Sequence, residues 1–183
     1  ATLHLCQYVP HPLMLLMLLL TPLLLALNSL NGIPLGPLGV LGLAPPLIYA
    51  ASQQALYPDW RRRMLAFPLL LVLGTGIAWT NTCAVVGALI PRAQPAEFRR
   101  TPKFAARWTG SAYALRPDVS TIIEALLAVY ALAGALLALQ RQPALAPWLA
   151  LYAYAFGMMV ALSLRDHWLM YRSARRLHHT GAL

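Results

Sequence analysis

Residues 97–104 read Glu-Phe-Arg-Arg-Thr-Pro-Lys-Phe and lie between two strongly apolar stretches. Their types suit one kind of chemistry. A lysine is a compact positive charge for a phosphate, and a threonine hydroxyl adds a donor. Arginines add two-pronged recognition of the same groups. Elsewhere the reactive residues are sparse. Asp59, Asp118 and Asp166 are isolated, and no Asp-x-Asp occurs. His167, His178 and His179 could hold a metal, but a frayed tail is the simpler reading of them. Glu124 is the one acid inside an apolar run. It is either a functional intramembrane acid or half of a capping box, Thr121-Ile122-Ile123-Glu124, at a helix start. The capping box is the stronger reading. No catalytic residue and no metal site is assigned.

Composition sets the medium in which these residues work. Of 183 residues, 60% are hydrophobic and 10% charged, against about 25% charged in an average soluble domain. No Asp, Glu, Lys or Arg precedes Asp59. The expectation is an all-α integral membrane protein that meets the lipid bilayer directly. The net charge of +9 comes from 14 Lys+Arg against 5 Asp+Glu. The cations sit in short segments between apolar blocks, which argues for cytoplasmic loops rather than for a nucleic-acid partner. Cys6 and Cys83 read as small hydrophobes, with no disulfide. No charged leader precedes the first apolar run, so no signal peptide is read. The start at Ala1 suggests a piece of a longer chain. The Leu/Ala/Pro/Arg-rich usage hints at a bacterial source and an inner (plasma) membrane.

The elements follow in order. Residues 1–11 are an interfacial lead-in. Residues 12–55 hold a first transmembrane pair, 12–31 and 36–55. Pro22 is expected to kink the first span, and Asn31-Gly32 to end it. Residues 56–90 are a cytoplasmic turn and a membrane-surface helix, broken near Gly74–Gly76. Residues 91–118 form the basic loop. Residues 119–164 hold a second pair, 119–139 and 146–164, and 165–183 a cytoplasmic tail. Lys and Arg number three in 56–64, six in 91–118 and four in the tail, against one, Arg141, in the turn at 140–145. The positive-inside rule places the first three segments in the cytoplasm. The run 64–90, with cytoplasmic flanks on both sides, then lies on the membrane or dips in and returns; a fifth span is the alternative. Tyr8, Tyr57, Trp60, Trp79 and Trp168 fit an aromatic belt, though each could stack on a sugar.

This order of segments, with Phe98-Arg99-Arg100-Thr101-Pro102-Lys103 after an interfacial helix, resembles the membrane-embedded C-terminal half of processive glycosyltransferases of family 2. That group includes cellulose, mannan and hyaluronan synthases. Their gating loop reads Phe-x-Val-Thr-x-Lys. Phe98, Thr101 and Lys103 match in register, while Arg100 stands where the family has Val. "TPKF" and the upstream "NTCAVVGALI" also look like bacterial mannan- or cellulose-synthase-like members. The resemblance covers essentially the whole chain. It implies a loop that inserts over a nucleotide-sugar, with Thr101 and Lys103 near the diphosphate, Phe98 docking the loop, and Arg100 either joining the phosphate contacts or meeting anionic lipid.

The family's catalytic elements do not occur here. Its metal-binding aspartates and Gln-x-x-Arg-Trp segment have no counterpart; Arg107-Trp108 has Phe104 where the glutamine would be. The resemblance places those elements, with a divalent Mg or Mn ion, in an upstream catalytic domain of the same parent chain. The expected role is therefore the channel and gating-loop part of a hexosyltransferase that extends and helps export a polysaccharide, this chain being non-catalytic alone. The alternatives are a small membrane transporter or channel, or a non-catalytic membrane assembly subunit. A basic loop that is only a topology signal and lipid contact remains the bland reading of 91–118.

Overall fold

The computed structural model describes residues 8–30, 33, 44–90 and 119–179. Among them the chain is helical, without a strand. The helices are α1 (Pro10–Ala26), α2 (Ala44–Leu56), α3 (Trp60–Met64), α4 (Phe67–Gly76), α5 (Ala78–Leu89), α6 (Val119–Arg141) and α7 (Ala146–His179). A 3-10 turn, Pro143–Leu145, joins α6 to α7.

Two stretches are long and apolar enough to cross a bilayer. Val119–Arg141 has a mean hydropathy of 2.3, and Pro143–Leu169 one of 1.6. At 1.5 Å per residue, 23 residues cover about 34 Å, enough for a hydrocarbon core of about 30 Å. Trp60–Gly76 and Ala78–Leu89 make a third candidate if the pair, bent by 45°, is one span. The apolar α1 is shorter, at 17 residues. The expected spans 119–139 and 146–164 thus correspond to real helices. Of the expected span 36–55, only the part from residue 44 is described, as a 13-residue helix with no buried residue.

Residue size shows which faces meet. On α6 the buried face is Thr121, Glu124, Leu127, Ala131, Gly134, Ala135 and Ala138. The outer face carries Val119, Ile122, Leu126, Val129, Leu132, Leu136 and Leu139, all more than half exposed. Small residues inside and large aliphatic ones outside invert the pattern of a water-soluble core. In lipid this arrangement is favoured, because close backbone approach gains dispersion contacts while leucines lose nothing by facing acyl chains. Gly134 shows the closeness: a Cβ there would lie 2.6 Å from Pro22 Cγ of α1 and 3.5 Å from Leu149 Cδ1 of α7. Phe156, Leu18 and Leu25 fill the remaining centre.

Hydrogen bonds fix the directions. The Tyr130 hydroxyl donates to the Leu19 carbonyl (2.7 Å), and Arg141 to the carbonyls of Leu25 (2.6 Å) and Ala26 (2.9 Å). Rising numbers pair with rising numbers, so α1 and α6 are parallel. The Tyr152 hydroxyl donates to the Met14 carbonyl (3.1 Å), while Leu149, earlier on α7, meets the same Gly134 as Pro22, later on α1. The helix α7 is therefore antiparallel to both. The starts of α1 and α6 and the far end of α7 lie at one end of the bundle. Trp148 and Trp168 are twenty residues apart on α7, about 30 Å, the spacing of two aromatic belts. The Arg172 guanidinium lies 3.5 Å from the centre of the Trp168 ring.

The helix α1 corrects one expectation. It ends at Ala26, not at Asn31-Gly32. Asn28 adopts φ 55°, Ser29 N–H donates to the Leu24 carbonyl, and Asn28 N–H to that of Leu25. This is the Schellman ending, for which asparagine is the best residue after glycine. Pro22 is accommodated within the helix Pro10–Ala26. Arg141 completes the stop, because its Nη1 also donates to Asn28 Oδ1 at 2.6 Å. The single cation of the short turn between α6 and α7 is therefore a clamp on α1. Arg141→Ala is expected to cost about 1–2 kcal/mol, since charged donors to helix-end carbonyls are lost at an exposed site. Arg141→Lys keeps the charge and a donor head but not the reach of Nη1, which makes all three bonds, and recovers about half. Thermal unfolding in detergent micelles measures both; equal stability of Arg141→Ala and wild type would refute the clamp.

Candidate functional site

Phe98, Arg100, Thr101 and Lys103 lie outside the described residues, as does all of 91–118. What the structure places is the ground on either side of that segment. The chain enters it from α5 and leaves it into α6.

The entry is built around a break. Apolar α4 stops at Gly76 and α5 starts at Ala78, with Ile77 between them. This is one residue beyond the Gly74–Gly76 stretch at which the sequence suggests a break. Gly76 packs against α7: a Cβ there would meet Met159 Cε at 2.7 Å and the Ala155 carbonyl at 3.2 Å. Thr75, 2% exposed, returns its hydroxyl to the Leu71 carbonyl (2.8 Å). Thr82 does the same to Ala78 (2.7 Å). Back-bonding of this kind satisfies a hydroxyl where water is absent.

Beyond the break, α5 is tied to both parallel helices by side chains. The Trp79 indole Nε1–H donates to Ser120 Oγ at the start of α6 (2.9 Å). The Asn81 amide contacts His11 Nε2 at the start of α1 (3.1 Å). His11 Nδ1 faces the Tyr8 carbonyl at 3.3 Å, so these partners together select the tautomer with its proton on Nδ1. Residues 79 and 81 are about 200° apart around a helix, which is why one helix reaches two neighbours. Ala78, fully buried, lets α5 come close.

Thr121 and Glu124, 9% and 7% exposed, follow Ser120 on the inner face of α6. Their position corrects the capping-box reading. A cap needs Thr121 at the helix boundary with a non-helical backbone. Val119 and Ser120 before it are already helical, so Thr121 is inside the helix, and Glu124 is buried in the bundle. Glu124 is the only buried acid among the described residues, and it lies at the end of the bundle where α5 meets α1 and α6. Two polar ties thus lie on opposite sides of α5, an amide–imidazole pair toward α1 and an indole–hydroxyl pair toward α6, with Thr121 and Glu124 buried next along α6. This arrangement can hold polar groups in register inside an apolar medium. Among the described residues no three His, Cys, Asp or Glu side chains gather as a metal site, and His167 is exposed.

The aromatics of the expected belt divide. Trp79 is a half-buried connector, while Trp168 is exposed. Tyr57 and Trp60 flank the basic turn: Arg63 lies 3.8 Å from the Tyr57 ring centre and Arg61 5.5 Å from that of Trp60. Arg63 Nε also donates to Asp59 (2.9 Å), and this hydrogen bond holds the Asp59 carboxyl below its ordinary range. His11, Asn81 and Ser120 were not legible as site residues. Asn81 lies in the run Trp79-Thr80-Asn81-Thr82, and nothing local names the partners of Asn81 and Trp79, 70 and 41 residues away in sequence.

No protein-family model, curated protein or solved structure matches the chain.

Proposed function

We propose that the chain is the channel and gating-loop portion of a membrane glycosyltransferase, with 91–118 as the loop that meets a nucleotide-sugar. The observation that carries this reading is the Phe98-x-x-Thr101-x-Lys103 order, set between an apolar, broken helix pair and a pair of spanning helices. Thr101 and Lys103 serve the donor diphosphate, Phe98 docks the loop, and Arg100 adds a cation on the same segment. An upstream domain of the parent chain supplies the aspartates and the divalent ion, and the growing glycan leaves through the helices. The host is a bacterial inner membrane.

Four spans, 12–31, 36–55, 119–139 and 146–164, complete the proposal, with 64–90 at the surface. What supports the count is parity. Since α1 and α6 start at the same end, an odd number of crossings lies between them. The polar segment 91–118, with six cations, is a poor crossing. Either 36–55 or the bent pair crosses, then, and not both. Charge counting favours 36–55, because a crossing by the bent pair instead would put Arg61, Arg62 and Arg63 opposite the other basic segments.

Sidedness tests the reading. Single cysteines near Asn31 and Gln142 are expected to react with an impermeant maleimide from outside. Those near Arg62, Thr101 and Arg176 are expected to react only after the membrane is opened. External labelling at Thr101 would remove the gating-loop assignment and the four-span arrangement together.

A further inference from the structure

The bond from Trp79 to Ser120 spans 41 residues of sequence, and the chain between its partners contains the whole basic segment 91–118. Twelve residues separate Trp79 from residue 91, while Ser120 stands two after residue 118. This hydrogen bond is a direct tie between the two helices that carry the segment, which otherwise meet through α1, packed against both. It is not backed by broad packing: α5 rests mainly on α1, and the contact of α5 with α6 is slight. On the other side the Asn81–His11 contact holds α5 to α1. Behind it, the chain has a break at Ile77, where the axis bends by 45°.

We propose that Trp79 and Ser120 are positioning residues: they form a clasp that fixes α5 against the start of α6, and so sets where both ends of the basic segment leave the membrane helices. The break at Ile77 is the joint about which α5 turns when the clasp opens, with Gly76 seated on Met159 and Ala155 as the fixed side. An indole donor suits this task, since its one N–H has a fixed direction and its ring packs against the buried core. Ser120 accepts on a short side chain at the first turn of α6, where a small lateral shift of α5 breaks the bond. The geometry stands without any enzymatic assignment; only its consequence for turnover rests on the glycosyltransferase reading.

The two can be tested apart. Cys83 is exposed on α5, and Val119, beside Ser120, is 70% exposed. With Cys6→Ser, spin labels on Cys83 and on Val119→Cys report the separation of α5 and α6 by pulsed electron resonance in lipid nanodiscs. One narrow distance distribution is expected. Ser120→Ala and Trp79→Phe are expected to lower the clasped-to-open ratio about fivefold, the size of one net hydrogen bond, and Ser120→Thr, which keeps the hydroxyl, to restore it. Unchanged distributions in both Ser120→Ala and Trp79→Phe would overturn the clasp. Sugar incorporation by the full-length protein is the second measurement. A fall in kcat at unchanged melting temperature, rescued by Ser120→Thr, supports both readings. A broadened distribution with wild-type kcat keeps the clasp and removes its consequence for turnover, whereas no sugar incorporation by the wild type removes the glycosyltransferase reading and leaves the clasp standing.

Discussion

Lys103→Ala and Thr101→Ala are each expected to lower sugar incorporation by the full-length protein about a hundredfold, with insertion and folding intact. Both residues belong to a polar segment with six cations, outside the apolar runs that insert in the membrane. Their proposed partner is the donor diphosphate, and a positive charge or a hydroxyl on a phosphate oxygen forms a charge-assisted bond. Losing one such bond at a site that excludes water costs about 2–4 kcal/mol of transition-state stabilisation, on the order of a hundredfold or more in rate. Phe98→Ala is expected to be intermediate to severe, by misplacing the loop. Arg99→Ala is expected to be mild, because that position is variable in the pattern this segment resembles. Incorporation into membranes, normalised to protein level, gives the order. Wild-type activity in both Lys103→Ala and Thr101→Ala would reduce the segment to a topology signal.

The second large effect is on assembly. Gly134→Ala is expected to destabilise the bundle by about 1–3 kcal/mol, the range for overpacking a tight contact, and Gly134→Leu to prevent native packing. The reason is what a Cβ meets: Pro22 Cγ at 2.6 Å and Pro22 Cβ at 3.0 Å, atoms of a rigid ring, with Leu149 behind. A ring cannot rotate away, so α1 and α6 must separate and lose the Tyr130 and Arg141 bonds that depend on their spacing. Two other glycines provide a graded control. At Gly76 a Cβ would meet Met159 Cε at 2.7 Å, Met159 Cγ at 2.8 Å and the Ala155 carbonyl at 3.2 Å; a methionine can change rotamer where a proline ring cannot, so Gly76→Ala is expected to cost about 1–2 kcal/mol, less than Gly134→Ala. At Gly157 nothing lies within 4 Å, and alanine is expected to gain up to about 1 kcal/mol from helix propensity. Unfolding in mixed micelles ranks the three. Gly134→Ala as stable as wild type would mean that the three helices do not meet at this depth.

The medium and the main helices were legible because the bilayer imposes a simple rule: about twenty apolar residues and no free backbone groups. That rule alone marks 119–139 and 146–164, and α6 and α7 are there, α6 ending at Arg141 and α7 running on to His179, well past the apolar run. The break near Gly74–Gly76 was also legible, since glycines weaken a helix wherever they fall. The end of α1 was not. Asn31-Gly32 carries the stronger local turn signal, but Asn28 is where the chain stops, because Arg141, 113 residues later in sequence, completes the carbonyl cap. Glu124 shows the same limit. In sequence it has capping-box spacing, and in the bundle it faces inward, because α6 starts earlier and its seam of small residues turns that side toward α1 and α7. The phosphate contacts proposed for Thr101 and Lys103 rest on the sequence alone. The polar junction of His11, Trp79, Asn81 and Ser120 belongs to the tertiary structure alone. Local pattern reports what each residue needs, a donor, an acceptor or an apolar neighbour; only parallel α1 and α6, with α5 between their starts, decides which distant residue supplies it.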